Sequence, residues 1–215
     1  MNTSVTIHHG PSSTIPPTAS PGLLFLQRFL PAADSLDSTT LPITPFFTPN
    51  APILIGSNPP TSASDAVPLL QVRGRHLAGF KHDVHIAWDM DLNPDKTLNG
   101  TTTTSSDSTD STRNVPTTGA AHDESTLYAP LTSGVRLKRT VMFEATSETV
   151  FKNDPDQFPV KLREFNILDL EGNNTDDLQI VEMRVFLDSR PVQARAARLH
   201  MESAFGEGGT QEPPG

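Results

Sequence analysis

The chain has 215 residues, a formal charge of −9 from 16 basic and 25 acidic side chains, and no cysteine. The charge argues against the basic footprint that nucleic-acid binding requires, and the missing thiols exclude disulfides, thiol catalysis and Cys-ligated zinc. No stretch approaches the roughly 18 apolar residues of a membrane span, and no charged-then-apolar leader pattern opens the chain, so a cytoplasmic protein without membrane or nucleic-acid partners is expected.

Residues 1–20 are rich in Ser, Thr and Pro and are predicted to form a disordered arm, because few large apolar groups offset the entropy of ordering them. A single domain is predicted over 21–200. Pro21-Gly22 opens a helix running to about Asp34, with Leu23, Leu26, Phe29 and Leu30 as its apolar stripe and Pro31 as a kink or stop. A short edge strand follows around Ile53–Ile55. A second helix starts at Ser64 or Asp65 and reaches about Leu77, ending at Gly79.

Lys81–Leu92 alternates as a strand. His82, Val84, Ile86, Trp88 and Met90 are predicted to share one face; Lys81, Asp83, His85, Ala87 and Asp89 take the other, with His85 and Asp89 as sheet-surface groups. Residues 93–119, dominated by Thr, Ser and Asp, read as a disordered insertion in a hairpin loop. Three long strands follow: Leu137–Phe151, Val160–Leu170 and Leu178–Asp188, joined closely enough for antiparallel pairing. In the last of them Val181, Met183, Val185 and Leu187 form an apolar row, while Glu164, Asn166, Glu182 and Arg184 are assigned mainly to the opposite face. Arg184, Arg190, Arg195 and Arg198 read as a solvated helix face rather than a binding patch, and 206–215 as a disordered acidic tail. Helices early and strands late define an α+β class.

This order of elements, together with Gly79-Phe-Lys-His-Asp-Val-His-Ile-Ala-Trp-Asp and the closing Glu182-Met-Arg-Val-Phe-Leu-Asp-Ser-Arg-Pro-Val, resembles the nuclear transport factor-like superfamily, which includes SnoaL-like polyketide cyclases and scytalone dehydratase. The resemblance implies a cone-shaped, strongly curved, mostly antiparallel sheet packed on N-terminal helices around an apolar pocket, a cystatin-like α+β barrel. It implies a small hydrophobic molecule as partner, no cofactor, and a homodimer formed through the sheet.

Enzymes of that group isomerise, cyclise or dehydrate their substrates by acid–base chemistry, which needs a base of tuned pKa and a donor for the developing charge. His82, facing inward, is the candidate acid or base, unless a backbone carbonyl satisfies it. Asp34, at the end of the first helix, either approaches the pocket or serves as a turn aspartate. Trp88, Ile86, Phe143, Phe165 and Arg163 are the candidate ligand-binding residues. The tyrosines of the family's enzymes have no counterpart, since Tyr128 is the only tyrosine and lies at the edge of the insertion. No metal is expected, because His82 and His85 alternate between faces. Nor does any segment resemble a phosphate loop or a dinucleotide fingerprint. Two readings stay open: a cofactor-free enzyme of secondary metabolism, or a binding or scaffold module of the same fold.

Overall fold

The computed structural model describes residues 4–37, 39–93 and 136–206. The predicted insertion apart from Asn93, and the acidic tail apart from Gly206, lie outside them. The chain is α+β, and its elements follow in the order β1 (Ser4–His9), α1 (Pro21–Asp34), β2 (Pro52–Ile55), β3 (Thr61–Ser62), α2 (Ala63–Val72), β4 (Leu77–Asp91), β5 (Leu137–Phe151), β6 (Val160–Gly172), β7 (Gln179–Leu187) and α3 (Arg190–Gly206). One sheet joins all seven strands in the order β1-β4-β5-β6-β7-β2-β3. Every pairing is antiparallel except that of β2 with β7. The edge strands β1 and β3 do not meet, so the sheet is open and the expected barrel is not closed. Among the described residues no helix is long and apolar enough to cross a membrane.

The polar arm expected to stay unfolded is ordered from Ser4 onward. Ser4–His9 adds an edge strand to β4, with Ile7 opposite Trp88, and Ile15 is buried in the core. Neighbouring backbone supplied the hydrogen bonds, a stabilisation that side-chain composition does not register.

Pro21 sits in the first turn of α1, where its missing N–H costs nothing. The helix continues through Pro31 to Asp34, and its Phe25 and Phe29 rings pack against Phe46 and Phe47 at centroid distances of 5.6 to 6.0 Å. Helix α2 stops earlier than expected, at Val72, and a 3₁₀ turn, Arg73–Arg75, leads directly into β4. Gly74 allows that turn: a Cβ there would lie 2.5 Å from the carbonyl oxygen of Leu36. Gly79 falls within β4 rather than at a helix end.

The decisive irregularity is in β4. Val84 pairs with Ala145, but Ile86 pairs with the adjacent Glu144, so His85 is the extra residue of a β-bulge. Beyond the bulge the faces exchange. His82 and Val84 point toward the helices as expected; after them it is Ala87 and Asp89, both completely buried, that point inward. Ile86, Trp88 and Met90 turn to the outer face. Asp89, expected on the surface, is instead the inner partner of Arg139, whose Nε donates to both of its carboxylate oxygens at 2.8 and 3.1 Å. The other Asp89 oxygen role is to accept the backbone N–H of Gly22 at 2.9 Å. A carboxylate at the start of α1 meets the positive end of the helix dipole, and the adjacent Ser20 hydroxyl makes no cap of its own. Gly22 is required by this approach, since a Cβ would sit 2.3 Å from Asp89 Oδ1.

Helix α3 is tied to the β5–β6 loop by Arg195, which donates from Nε at 2.9 Å and from Nη2 at 2.5 Å to the two oxygens of buried Asp154. The Asp154 carboxyl, held by that guanidinium below the usual carboxylate range, also accepts the N–H groups of Asp156 and Phe158. Arg190 and Arg198 pair with Asp188 and Glu202, and Arg184 with Asp169, so the basic cluster is consumed locally. Replacing Arg195 by alanine is expected to loosen α3 from the sheet. Amide exchange should quicken along Arg190–Gly206 and stay unchanged in β4–β6; unchanged exchange in α3 would show that Leu199 and its apolar contacts hold the helix unaided.

Candidate functional site

The inner face of the sheet, the C-terminal half of α1 and the side of α2 enclose a cavity of about 300 Å³. Its walls are largely apolar: Phe29, Leu30 and Ala33 from α1, Ile53 and Ile55 from β2, Phe80 from β4, Phe143 from β5, and Met183, Val185 and Leu187 from β7. Among the described residues, the polar side chains that reach it are Arg73, His82, Thr149, Glu164 and Asn166.

His82 stands between two carboxylates. Its Nδ1 is 2.5 Å from Asp34 Oδ1 and its Nε2 is 3.0 Å from Glu164 Oε1. The backbone N–H of His82 also donates to Asp34 Oδ2 at 3.1 Å. Asp34 is the last residue of α1, where the negative end of the helix dipole disfavours an anion; its two contacts with His82 and the nearby guanidinium of Arg73 account for its place there. Burial opposes the charge on His82, but hydrogen bonds and charges from Asp34 and Glu164 outweigh it and raise the imidazole to about 9. The imidazole is therefore the protonated, doubly donating form at neutral pH.

Glu164 is buried, and burial by itself pushes its carboxyl up. Hydrogen bonds from His82, Asn166 and Ser147, together with the imidazolium charge, hold it below the ordinary value instead. Asn166 Nδ2 donates to Glu164 Oε1 at 2.9 Å. Arg73 completes the polar end: its Nη2 donates to the carbonyls of Ala33 and Ser35, and its guanidinium lies 4.3 Å over the Phe80 ring. Burial lowers the Arg73 pKa, and the charge of Asp34 partly restores it. The Phe80 ring in turn meets His82 edge-on at 5.0 Å.

Of the residues singled out from the sequence, His82, Asp34 and Phe143 come together at this cavity or against it. Trp88, Ile86, Phe165 and Arg163 do not. The bulge at His85 turns Ile86 and Trp88 outward. On β6 the inner row is Val160, Leu162, Glu164, Asn166, Leu168 and Leu170, which places Arg163 and Phe165 outside. Trp88, Phe165 and Phe186 instead form an aromatic line across the outer face, with centroid separations of 6.3 and 6.4 Å. His85 is exposed there and hydrogen-bonds the Thr146 hydroxyl at 2.8 Å.

Glu164 and Asn166 lie on the inner face, opposite to the expectation, and Arg73 and Ser147 join them there without a signal in the periodicity. The signal for the first two is in the sequence: read at every second residue, Val160–Leu170 is an apolar row interrupted only by Glu and Asn. Polar residues embedded in such a row are buried and must be partnered. Among the described residues no group of three or more His, Asp or Glu is placed to hold a metal ion. Comparison of the sequence with models of known protein families and with curated proteins found no match.

Proposed function

We propose that the cavity holds a small hydrophobic molecule and that the Asp34–His82–Glu164 set supplies acid–base chemistry to it, as in a cofactor-free isomerase, cyclase or dehydratase of the SnoaL-like type. The observation that carries this reading is the His82–Glu164 pair at one end of a largely apolar cavity, with Asp34 behind His82. Buried charge of that kind costs stability wherever it is only structural, and groups of shifted pKa in a cleft are what proton-transfer chemistry uses. On the same reading the inner face of the sheet is the wall of a cone. Its outer face, with Val5, Ile7 and Phe186 about half exposed around the Trp88–Phe165 pair, joins a second copy of the chain.

The alternative is a binding module that holds its ligand unchanged. It is favoured by the engagement of both His82 ring nitrogens by protein carboxylates.

Two measurements test the proposal. p-Cymene should bind the wild-type chain, seen by ligand-observed NMR, and should be displaced when Ala33→Phe fills the cavity; absence of binding by the wild type would remove the ligand cavity from the reading. Incubation with an extract of polyketide- and terpenoid-class metabolites, followed by mass spectrometry, should show a product with the wild type and none with Asp34→Asn. A bound metabolite recovered unchanged from both would favour the binding module.

A further inference from the structure

The occupancy of His82 carries a consequence for what the ligand touches. An imidazole has two ring nitrogens, and here Nδ1 is taken by Asp34 and Nε2 by Glu164. Neither is left to meet a bound molecule. Glu164 is different. A carboxylate has about four acceptor positions on its two oxygens; His82 and Asn166 both meet Oε1 and Ser147 adds a third hydrogen bond, which leaves room for one more donor. Asn166 gives its amide N–H to Glu164, and its carbonyl oxygen meets no donor among the described residues. Both side chains line the cavity; Asp34 stands behind His82 and does not.

We propose that Glu164, with Asn166 beside it, is the group that meets the ligand, that His82 is a positioning residue acting through it, and that the ligand presents a neutral hydroxyl as a hydrogen-bond donor. The proposal rests on the reading of the cavity as a small-molecule site and names the class of molecule it takes. The choice of a neutral donor follows from the charges. Arg73 and His82 on one side balance Asp34 and Glu164 on the other, the remaining walls are largely apolar, and a charged group brought in would leave the buried site with a net charge. An anionic head would in addition face the Glu164 carboxylate.

Three matched probes separate the terms: p-cymene, thymol, which is the same skeleton with a hydroxyl, and cuminate, which carries a carboxylate. Wild-type protein is expected to bind thymol roughly tenfold to a hundredfold more tightly than p-cymene, the range of one hydrogen bond to a charged acceptor, and to bind cuminate weakest. Glu164→Gln should reduce the thymol-to-p-cymene affinity ratio toward one, with the far-ultraviolet circular dichroism of the variant reporting that it is folded.

The His82→Gln variant supplies the readout that a structural role would not move. The groups facing Glu164 are His82 from β4, with Asp34 of α1 behind it, Ser147 from β5 and Asn166 from its own strand, with Arg73 at the same end of the cavity. With the imidazolium removed, the buried carboxyl takes up a proton more readily, so thymol affinity should fall as pH is lowered through the weakly acidic range, while wild-type affinity stays flat there. Thymol bound no tighter than p-cymene by the wild type overturns the proposal, as does a His82→Gln loss that is the same at every pH. Failure of all three probes to bind overturns the small-molecule reading as well, whereas p-cymene binding without a hydroxyl preference overturns this proposal alone.

Discussion

Asp89→Ala is expected to destabilise the chain by about 3 kcal/mol, the low end of the cost of breaking a buried ion pair, because Arg139 Nη1 keeps its bond to Asp91 Oδ2 at 3.0 Å. Asp89 is completely buried and Arg139 nearly so. The substitution strands the Arg139 Nε and uncaps the first turn of α1 at Gly22. Against a total of about 5–15 kcal/mol for a domain, that is enough to move a urea midpoint substantially. Asp89→Asn should cost less, because an amide oxygen still accepts from Gly22 while the charge is lost. Replacing both partners by apolar residues, Asp89→Leu with Arg139→Met, should recover much of the loss. A midpoint shift for Asp89→Ala below about 1 kcal/mol, the scale of a surface ion pair, would mean that water enters the site.

The second large effect is on pH dependence. His82 is raised to about 9 in the folded chain from an ordinary value of 6.5. A raised folded-state pKa means that the native state binds the proton more tightly than the unfolded chain. Its stabilisation is fully present below about pH 6.5 and is lost as pH rises through about 9. At about 1.4 kcal/mol per unit, the loss across that window is on the order of 3 kcal/mol. His82→Gln should flatten the unfolding free energy between those limits. On the acid side Glu164 runs the other way: its depressed pKa stabilises above the ordinary carboxylate value and is lost as pH falls below it. Wild-type stability that is level between neutral pH and pH 9 would show that His82 is not held as an imidazolium.

Both effects involve groups whose position in the fold was only partly legible beforehand. The long strands, the first helix and the α+β order were readable because their apolar residues recur at the period of each element. His82 was placed inward for the same reason. Trp88 and Asp89 were misplaced because strand alternation assumes one residue per pleat, and the bulge at His85 adds one without altering the composition. For β6 the alternation held, but aromatic Phe165 and Ile167 outweighed the longer apolar row containing Glu164 and Asn166, so the faces were named in reverse. Arg73 lies in a 3₁₀ turn after α2, where no periodicity marks which way a side chain turns.

Local spacing in the sequence thus determined the first helix, the long strands β4 to β7 and that His82 belongs to the interior. Only the tertiary structure decided what His82 meets there. Asp34 and Glu164 are 48 and 82 residues from it in the chain, and their convergence depends on the antiparallel register of β4, β5 and β6 and on the seating of α1 across them. Those are long-range choices, set by which buried polar groups can all find partners at once, and no window along the chain contains them.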